Sequence, residues 1–239
     1  MKESQSTLFI SDLHLDKTQP EIEKQFLQFL STIKPPIDAL YILGDLFEAW
    51  LGDQTDISQH QNIIRAMKTI TESGVPIYFI SGNRDFMVGK HFFNAAGVKP
   101  LADETRIILY GEPVLLMHGD TLCTRDIAYI KARKILRNPF LQKLFLSFPS
   151  IIRKKLADMF RKKSRKHTAM TAHEIMDVTE EEVLRIMQKH NVKTLIHGHT
   201  HRPGFHENAG NERIVLGAWH DYPNALVWHK NGEKKLIKL

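Results

Sequence analysis

The sequence predicts an α/β fold whose chemistry lies along one edge of its strands. Short apolar runs typical of buried strands alternate with stretches of helical periodicity in the first half of the chain. Along the whole chain, five apolar runs end in a polar cluster, and α/β folds place their functional groups at such strand ends. A length of 239 residues with 42% hydrophobic composition suits one large domain, residues 1–239, that carries an insertion.

The individual elements follow from periodicity and end signals. Helical spacing of apolar residues predicts helices over 21–33 and 59–73. Thr179 and Glu182 form a capping-box pattern, which predicts a helix from there to about residue 190. Apolar runs predict strands over 7–11, 39–43, 75–81, 114–117, 192–196, 213–216, 225–229 and 235–237.

The insertion, at about residues 123–170, differs in composition from the rest of the chain. From Lys131 to Lys166, thirteen Lys and Arg face one acid, Asp158, so this window carries +12. Because the whole chain carries +6, the remaining residues carry −6. Such asymmetry indicates an anionic partner.

Helices are predicted in the insertion, with breaks at Pro139 and Pro149. Large apolar residues lie between the basic ones, which is typical of an interfacial amphipathic element. The alternative is a small helical subdomain that packs its apolar faces on itself.

The cellular location is predicted from what the sequence lacks. One cysteine, Cys123, permits neither a disulfide framework nor a cysteine-based zinc site. The first residues do not resemble a signal peptide, and no run approaches the roughly 20 apolar residues that span a bilayer. We therefore expect a cytoplasmic protein that can still lie on a membrane.

The five polar clusters are the strongest functional signal. Each alone is weak, since Gly-Asp and Gly-Asn are common in turns. In order along the chain they are Asp12-Leu13-His14, Gly44-Asp45, Gly82-Asn83-Arg84-Asp85, His118-Gly119-Asp120 and Gly198-His199-Thr200-His201. Five such clusters, each at the end of an apolar run, indicate a shared site.

A two-metal centre explains these residue types. Two divalent cations about 3.5–4 Å apart can clamp a phosphoryl group and activate water. Asp45 is the expected bridge; Asp12 and His14 would bind the first metal, and Asn83 and His118 the second. The two histidines of the last cluster would be divided between the metals. A histidine-rich set favours manganese, iron or zinc over magnesium.

The order D-x-H, G-D, G-N, H-G-D and G-H-x-H resembles the calcineurin-like metallophosphoesterases over the whole chain. The resemblance implies a four-layer α/β/β/α sandwich with a helical lid insertion. It also divides the ligands: Asp12, His14, Asp45 and His201 for the first metal, and Asp45, Asn83, His118 and His199 for the second. His197 matches no ligand position, and we interpret it as a strand-end residue or one that supports a ligand.

One difference from the usual motif of these phosphoesterases narrows the resemblance to a single family. Most members read G-N-H-[DE], whereas this chain has Arg84 in place of the histidine, and an arginine can hold phosphate oxygens bidentately but cannot release its proton. Together with SDLHL, GDLFEAWLGD, HGHTHRP and LGAWH, this resembles the UDP-2,3-diacylglucosamine pyrophosphatase (hydrolase) family of lipid A biosynthesis.

That resemblance implies attack of water on the α-phosphorus, giving UMP and 2,3-diacylglucosamine 1-phosphate (lipid X), with two Mn²⁺ ions. It implies that the catalytic residues are Asp45, Asn83, Arg84, His118 and His199. The implied substrate contacts are Asn83, Arg84, Asp126, Ser164, Thr168, Thr171 and His199. The family often has an asparagine and a lysine near the positions of Thr168 and Thr171, so Lys163 or Lys166 would supply the missing charge.

The insertion acquires a role from the same resemblance. Apolar side chains would cover the acyl chains, and basic side chains would rest on anionic lipid at the cytoplasmic side of the inner membrane. Neither nucleic acid nor an obligate protein partner is expected.

Two rival hypotheses remain at this point. A nuclease or cyclic-nucleotide phosphodiesterase has similar metal motifs, but Arg84 and a basic segment interleaved with aliphatic residues argue against it. A non-catalytic scaffold or membrane-bound adaptor on the same fold would be free to lose ligands, and every expected ligand type is present.

Overall fold

The structure is a computed structural model, which describes residues 5–170, 175, 177–208 and 210–239, with the backbone alone at 163–170. The strands are β1 (Ser6–Ile10), β2 (Ile37–Leu43), β3 (Ile77–Ile80), β4 (Lys99–Pro100), β5 (Glu104–Leu109), β6 (Glu112–Met117), β7 (Thr194–His197), β8 (Gly204–Asn208), β9 (Asn211–Val215), β10 (Asn224–His229) and β11 (Lys234–Lys238). The α-helices are α1 (Pro20–Thr32), α2 (Asp53–Asp56), α3 (Gln61–Glu72), α4 (Lys90–Ala96), α5 (Ile127–Leu136), α6 (Pro139–Ser147), α7 (Ser150–Met170) and α8 (Glu180–Lys189).

The strands form two sheets that pack face to face. The first sheet has the order β11-β10-β1-β2-β3-β4, and the second has the order β5-β6-β7-β9-β8. Strands β1, β2 and β3 are mutually parallel, as are β6, β7 and β9. Phe9, Leu43 and Ile80 of the first sheet share one core cluster with Val114 and Ile196 of the second.

The outer face of each sheet is covered by helices. Strand β1 shows the alternation of side chains: Phe9 faces the second sheet, while Leu8 and Ile10 join the core with helices α1, α3 and α4. On the far side, Leu115 and Leu195 pack against helix α8. The predicted four-layer α/β/β/α sandwich is therefore confirmed.

Parallel pairing brings the polar clusters to one edge. Asp12, Asp45 and Asn83 follow β1, β2 and β3, while His118 and His199 follow β6 and β7. Because parallel strands end at the same edge of a sheet, two sheets packed face to face present these residues to one another.

The structure contains elements that the sequence analysis did not predict: α2, α4, β4, β5 and β8. Strand β5 pairs with β6 through a tight turn in which Tyr110 and Gly111 both have positive φ, 49° and 92°. Strand β8 lies at the sheet edge and is largely exposed, so it lacks the apolar pattern that marks a buried strand. Helix α4 has seven residues, too few for a periodicity signal.

The predicted cap of α8 is wrong in its chemistry, although the helix begins where expected. Thr179 occupies the N-cap position without a side-chain cap bond. Its hydroxyl instead contacts the hydroxyl of Thr124 at 2.6 Å, and Glu182 pairs with Arg185. Thr179 therefore ties the start of the insertion to the chain that leaves it.

The insertion forms helices α5, α6 and α7, and the break between the last two falls at Pro149, as predicted. In the described parts of the chain, no helix combines the length and the apolar character that crossing a membrane requires.

Candidate metal centre

The backbone at the strand ends is held in an uncommon conformation. Asp12, His14, Asp45, His199 and His201 all have φ between 51° and 67°. Non-glycine residues rarely adopt this left-handed region, and such strain concentrates at functional sites. The local fold therefore tolerates backbone strain at these residues, and the strained conformation directs their side chains towards one another.

The first predicted metal position is formed by Asp12, His14 and His201. Oδ1 of Asp12 lies 3.3 Å from Nε2 of His201 and 3.9 Å from Nε2 of His14. One ligand atom from each of the three residues falls within 4.8 Å of the others, which suits a single cation.

Asp45 lies between the two predicted positions. Its Oδ2 is 3.8 Å from Nε2 of His14 and 3.7 Å from Nε2 of His118. Its other oxygen accepts a hydrogen bond from the backbone N–H of Arg84 at 2.8 Å. A carboxylate equidistant from a ligand of each set has the geometry of a bridge.

The second position is formed around His118. Its Nε2 lies 3.0 Å from Oδ1 of Asn83, and its ring centroid lies 5.1 Å from that of His199. The backbone N–H of His199 also donates to Asp12 at 2.9 Å, so the last cluster is tied to the first. The structure thus brings together all seven predicted ligands, and their division between two ions stays a prediction.

The site fits divalent cations by a further criterion. Oδ1 of Asp12 and Nε2 of His14 are buried, and neither has a hydrogen-bond partner among the described residues. Buried polar atoms normally find a partner, so orphaned atoms that face one another indicate a missing ligand. A mixed set of carboxylates, imidazoles and an amide suits two transition-metal ions.

The electrostatics of the site also favour cations. Burial opposes protonation of His118, but the charges of Asp45, Asp12 and Asp120 outweigh it and raise its pKa to about 9. Burial likewise opposes ionisation of Asp12, yet the close approach of His201 and the charges of His118 and His14 lower its pKa. The buried carboxylates therefore give the site a negative potential, which favours the binding of cations.

Two hydrogen bonds orient the imidazoles. Nδ1 of His14 lies 3.0 Å from Oε2 of Glu48, and Nδ1 of His118 lies 2.8 Å from the carbonyl oxygen of Leu43. Each bond leaves Nε2 to face the metal position, as in other carboxylate–histidine–metal arrangements. The sequence analysis missed Glu48, although its place three residues after Asp45 in GDLFE was a usable signal.

Asp85 and Gly82 set the geometry below Asp45. The buried carboxylate of Asp85 accepts hydrogen bonds from the backbone N–H groups of Gly82 and Leu46 at 2.8 and 2.7 Å. Burial and the charge of Asp45 raise the pKa of Asp85 to about 7. A Cβ atom at Gly82 would lie 2.0 Å from Oδ1 of Asp45, so only glycine fits there.

The predicted substrate contacts are placed unevenly. Nε of Arg84 is buried without a hydrogen-bond partner in the described part of the chain, so this guanidinium is not fully used by the fold. Oδ1 of Asp126 caps helix α5 by accepting from the N–H of Tyr129. Ser164 and Thr168 lie in α7 at positions where only the backbone is described, and Thr171 lies outside the described residues. The substrate roles of these residues stay predictions.

His197 lies behind the site. It is fully buried, with Nδ1 2.8 Å from the carbonyl oxygen of Gly198 and Nε2 3.3 Å from Nη1 of Arg213. A Cβ at Gly119 would lie 2.7 Å from Nδ1 of His197. The ring therefore packs between the loops that carry His118 and His199, which agrees with a supporting residue.

The insertion is anchored beside the second metal position by α5. Asp120, two residues after His118, accepts from the hydroxyl of Tyr129 and from Nε of Arg133. Arg137 donates to the carbonyl oxygens of Ser81 and Gly82 at 3.1 and 2.8 Å. These contacts tie α5 to the loops that carry two predicted ligands.

A second anchor joins α7 to the body. Arg153 is 5% exposed and donates to the carbonyl oxygen of Leu51 and, at 3.1 Å, to Oγ1 of Thr55. A Cβ at Gly52, where φ is 125°, would lie 2.4 Å from Nη1 of Arg153 and 2.7 Å from a methyl of Leu146. The absence of a side chain at Gly52 therefore permits the insertion to dock.

Carboxylates, imidazoles and an amide gathered around two positions at the ends of parallel strands define a di-metal phosphoesterase site. The chain belongs to the calcineurin-like phosphoesterase family, whose profile matches residues 6–203. Its similar relatives include the UDP-2,3-diacylglucosamine hydrolase of Coxiella burnetii (strain RSA 331 / Henzerling II), which is 48% identical over 96% of both chains.

Other relatives have the same name. The UDP-2,3-diacylglucosamine hydrolase of Klebsiella pneumoniae is 49% identical over 90% of this chain and 91% of its own, and that of Pseudomonas aeruginosa (strain UCBPP-PA14) is 48% identical over 96% and 98%. Vacuolar Protein Sorting 29 from Cryptosporidium parvum shares only the fold, with a TM-score of 0.50 and 14% identity over 99% of this chain and 97% of its own.

Proposed function

We propose that this protein hydrolyses the pyrophosphate bond of UDP-2,3-diacylglucosamine and releases UMP and 2,3-diacylglucosamine 1-phosphate. The observation that carries the proposal is the juxtaposition of a phosphoesterase metal centre with an anchored helical insertion. Relatives that bear this activity in their names match the chain over 90–96% of its length, so the insertion is included in the similarity.

Divalent cations bound at this centre supply Lewis acidity and an activated water for phosphoryl hydrolysis. In the balanced reaction, the oxygen of water forms a bond to the α-phosphorus, and the bond from that phosphorus to the bridging oxygen breaks. The bond's electron pair leaves with the β-phosphate, and a proton from the water passes to solvent. Asp45, Asn83, His118 and His199 hold and orient the reacting centre.

Arg84 suits the leaving group of this reaction. A phosphate monoester has a second pKa of about 6, so it departs at neutral pH without receiving a proton. The growing negative charge on the leaving phosphate must be stabilised, and a permanently charged guanidinium can do this. A general acid is not required. A histidine at this position would suit an alkoxide leaving group better.

The insertion provides apolar surface for a diacylated substrate. Several large side chains of α5, α6 and α7 are exposed, including Ile127, Phe140, Leu144, Ile151 and Met159. Acyl chains would cover such side chains at about 25 cal/mol per Å² removed from water. We propose Mn²⁺ as the working metal because the family resemblance implies it; the histidine-rich ligand set by itself favours a transition metal over magnesium.

The same surface leads us to propose a peripheral location on the cytoplasmic side of the inner membrane. Basic residues of the insertion, such as Arg161 and Lys162, would attract anionic headgroups at about 1 kcal/mol each. Binding to anionic vesicles that weakens with salt, together with weak binding to neutral vesicles, is the expected result. Equal binding to both kinds of vesicle at all salt concentrations would contradict this location.

The deciding experiment is a product-release panel with the Mn²⁺-loaded protein. The substrates are UDP-2,3-diacylglucosamine, UDP-N-acetylglucosamine, which lacks long acyl chains, a cyclic nucleotide and single-stranded DNA. We expect UMP release from the diacylated substrate to exceed that from UDP-N-acetylglucosamine by at least about 100-fold. Preferential turnover of DNA or of the cyclic nucleotide would replace the proposal with a nuclease or phosphodiesterase.

A further inference from the structure

The metal centre has two unlike flanks. On the first flank, the insertion lies against the second metal position: the ring of Tyr129 is 6.2 Å from that of His199, and Arg137 bonds to the chain just before Asn83. Both anchors of the insertion use loops that follow β2, β3 and β6. The opposite flank is bordered by loops next to β1, β9 and β10.

The second flank carries a turn between β9 and β10 that reaches the first metal position. His220 lies in this turn, with its ring 6.1 Å from the ring of His14 and 5.5 Å from that of His201. Nε2 of His220 is 3.3 Å from Oδ2 of Asp221. The side chains of His220 and Asp221 are 40% and 69% exposed, so both are open to a ligand.

This turn is rigidly held although its side chains are exposed. The N–H of Trp219 donates to the carbonyl oxygen of Asp12 at 3.1 Å, which couples the turn directly to a predicted metal ligand. The indole of Trp219 is 1% exposed and packs edge-on against Phe26 and Phe29 of α1.

Backbone and side-chain bonds close the turn itself. The N–H groups of Asp221 and Tyr222 donate to the carbonyl oxygen of Ala218, and the side chain of Asn224 bonds to Gly217 and Tyr222. Polar side chains presented by a rigid loop beside a reaction centre are typical of recognition rather than of packing.

We propose that the turn from Ala218 to Tyr222 is the subsite for the nucleotide half of the substrate, with His220 and Asp221 as its contacts. The inference rests on the proposed function. The substrate is linear, and its pyrophosphate lies between a nucleoside and a diacylated sugar. When the α-phosphorus is at the metal centre and the lipid half is under the insertion, the nucleoside half leaves over the opposite flank.

The chemistry of the two side chains matches that half. The carboxylate of Asp221 can accept hydrogen bonds from the vicinal ribose hydroxyls. A ring N–H of His220 can donate to a phosphate or ribose oxygen next to the first metal position.

The test compares two chromogenic esters on the Mn²⁺-loaded protein. The p-nitrophenyl ester of UMP contains the nucleotide but no lipid, and bis(p-nitrophenyl) phosphate contains neither. We expect His220→Ala and Asp221→Asn to lower the ratio of kcat/KM values for these two esters by at least about tenfold. The inhibition constant of UMP should rise by a similar factor.

Matched controls are His206→Ala and Glu207→Gln, which change the same residue types on the exposed edge strand β8. Both controls should keep the wild-type ratio. Metal content and thermal midpoint are measured for every variant, and the conservative Asp221→Asn change keeps the test valid if His220→Ala folds poorly.

Three results would overturn the subsite. They are a ratio within twofold of wild type, an unchanged inhibition constant for UMP, and loss of one metal ion in His220→Ala, which would make His220 a metal ligand. These readouts do not need the diacylated substrate. A wild-type protein that fails to cleave that substrate but discriminates the two esters would contradict the proposed function and leave the nucleotide subsite supported.

Discussion

The metal centre and the insertion achieve their roles by opposite physical means. In the centre, Asp12, Asp45 and His118 are buried, five of the seven predicted ligands have positive φ, and hydrogen bonds orient the rings of His14 and His118. In the insertion, large apolar side chains are exposed, and attachment to the body depends on a few arginines. A rigid centre serves chemistry that tolerates little displacement, whereas a surface for flexible acyl chains needs apolar area more than exact geometry.

Asp45→Asn is expected to have the largest effect, because it tests the geometry of the metal centre directly. One carboxylate oxygen faces ligands of both metal positions, so its loss should release or misplace both ions. We expect kcat/KM to fall at least about 10³-fold, which corresponds to about 4 kcal/mol of activation free energy. Metal analysis of the purified variant and steady-state kinetics would check this, and near-normal binding of two ions would remove Asp45 from the bridging role.

Arg84→Ala should separate substrate binding from metal binding. The guanidinium is not fully bonded in the fold, so we expect both ions to be retained while kcat/KM falls about 10²-fold. Arg106→Ala, an exposed change on β5, is the matched control and should be neutral. Joint loss of the two metals in the Arg84 variant would show a structural role instead.

Glu48→Gln tests the hydrogen bond that orients the imidazole of His14. A neutral amide still reaches Nδ1 of His14 but no longer polarises the ring, so metal affinity should fall between about 10- and 100-fold. Calorimetric titration with Mn²⁺ measures the change, and excess metal should restore most of the turnover. An unchanged affinity would limit Glu48 to packing.

Arg153→Met tests how the insertion is attached to the body of the protein. It keeps the aliphatic stem but removes the bonds to Leu51 and Thr55, so the insertion should dock less firmly. We expect kcat/KM for the diacylated substrate to fall about tenfold, while cleavage of bis(p-nitrophenyl) phosphate stays within twofold. Arg65→Met, an exposed change on helix α3, is the control. Equal loss on both substrates would mean that Arg153 supports the whole fold.

Counted per pH unit, the effect of pH on metal binding is the smallest expected change. Metal-free His118 has a pKa of about 9, against 6.5 ordinarily, so a proton must leave Nε2 when metal binds. Mn²⁺ affinity should therefore rise with pH between 6.5 and 9, by at most about tenfold per unit. In the metal-free protein the sign is reversed: this group stabilises the fold below pH 6.5, and that contribution disappears as pH rises towards 9. Calorimetry and thermal unfolding across this range distinguish the two trends.

Much of the centre followed from the order of residues along the chain. Apolar runs ending in Asp12, Asp45, Asn83, His118 and His199 predicted strand ends, and parallel pairing then brought these residues together. Local patterns were sufficient because each predicted ligand lies within four residues of the end of a strand. The short or exposed elements α2, α4, β4, β5 and β8 were missed because they lack apolar periodicity.

Tertiary structure alone decided how remote segments support one another. No local pattern indicates that Gly52 lacks a side chain because Arg153 docks there, or that Trp219 fixes His220 beside the first metal position. The sequence by itself determined the fold class, the ligand types and the charge of the insertion, since these depend on composition and on periodicity over a few residues. Which loops border each flank of the metal centre depends on the order of the strands in the two sheets. Only tertiary packing specifies that order.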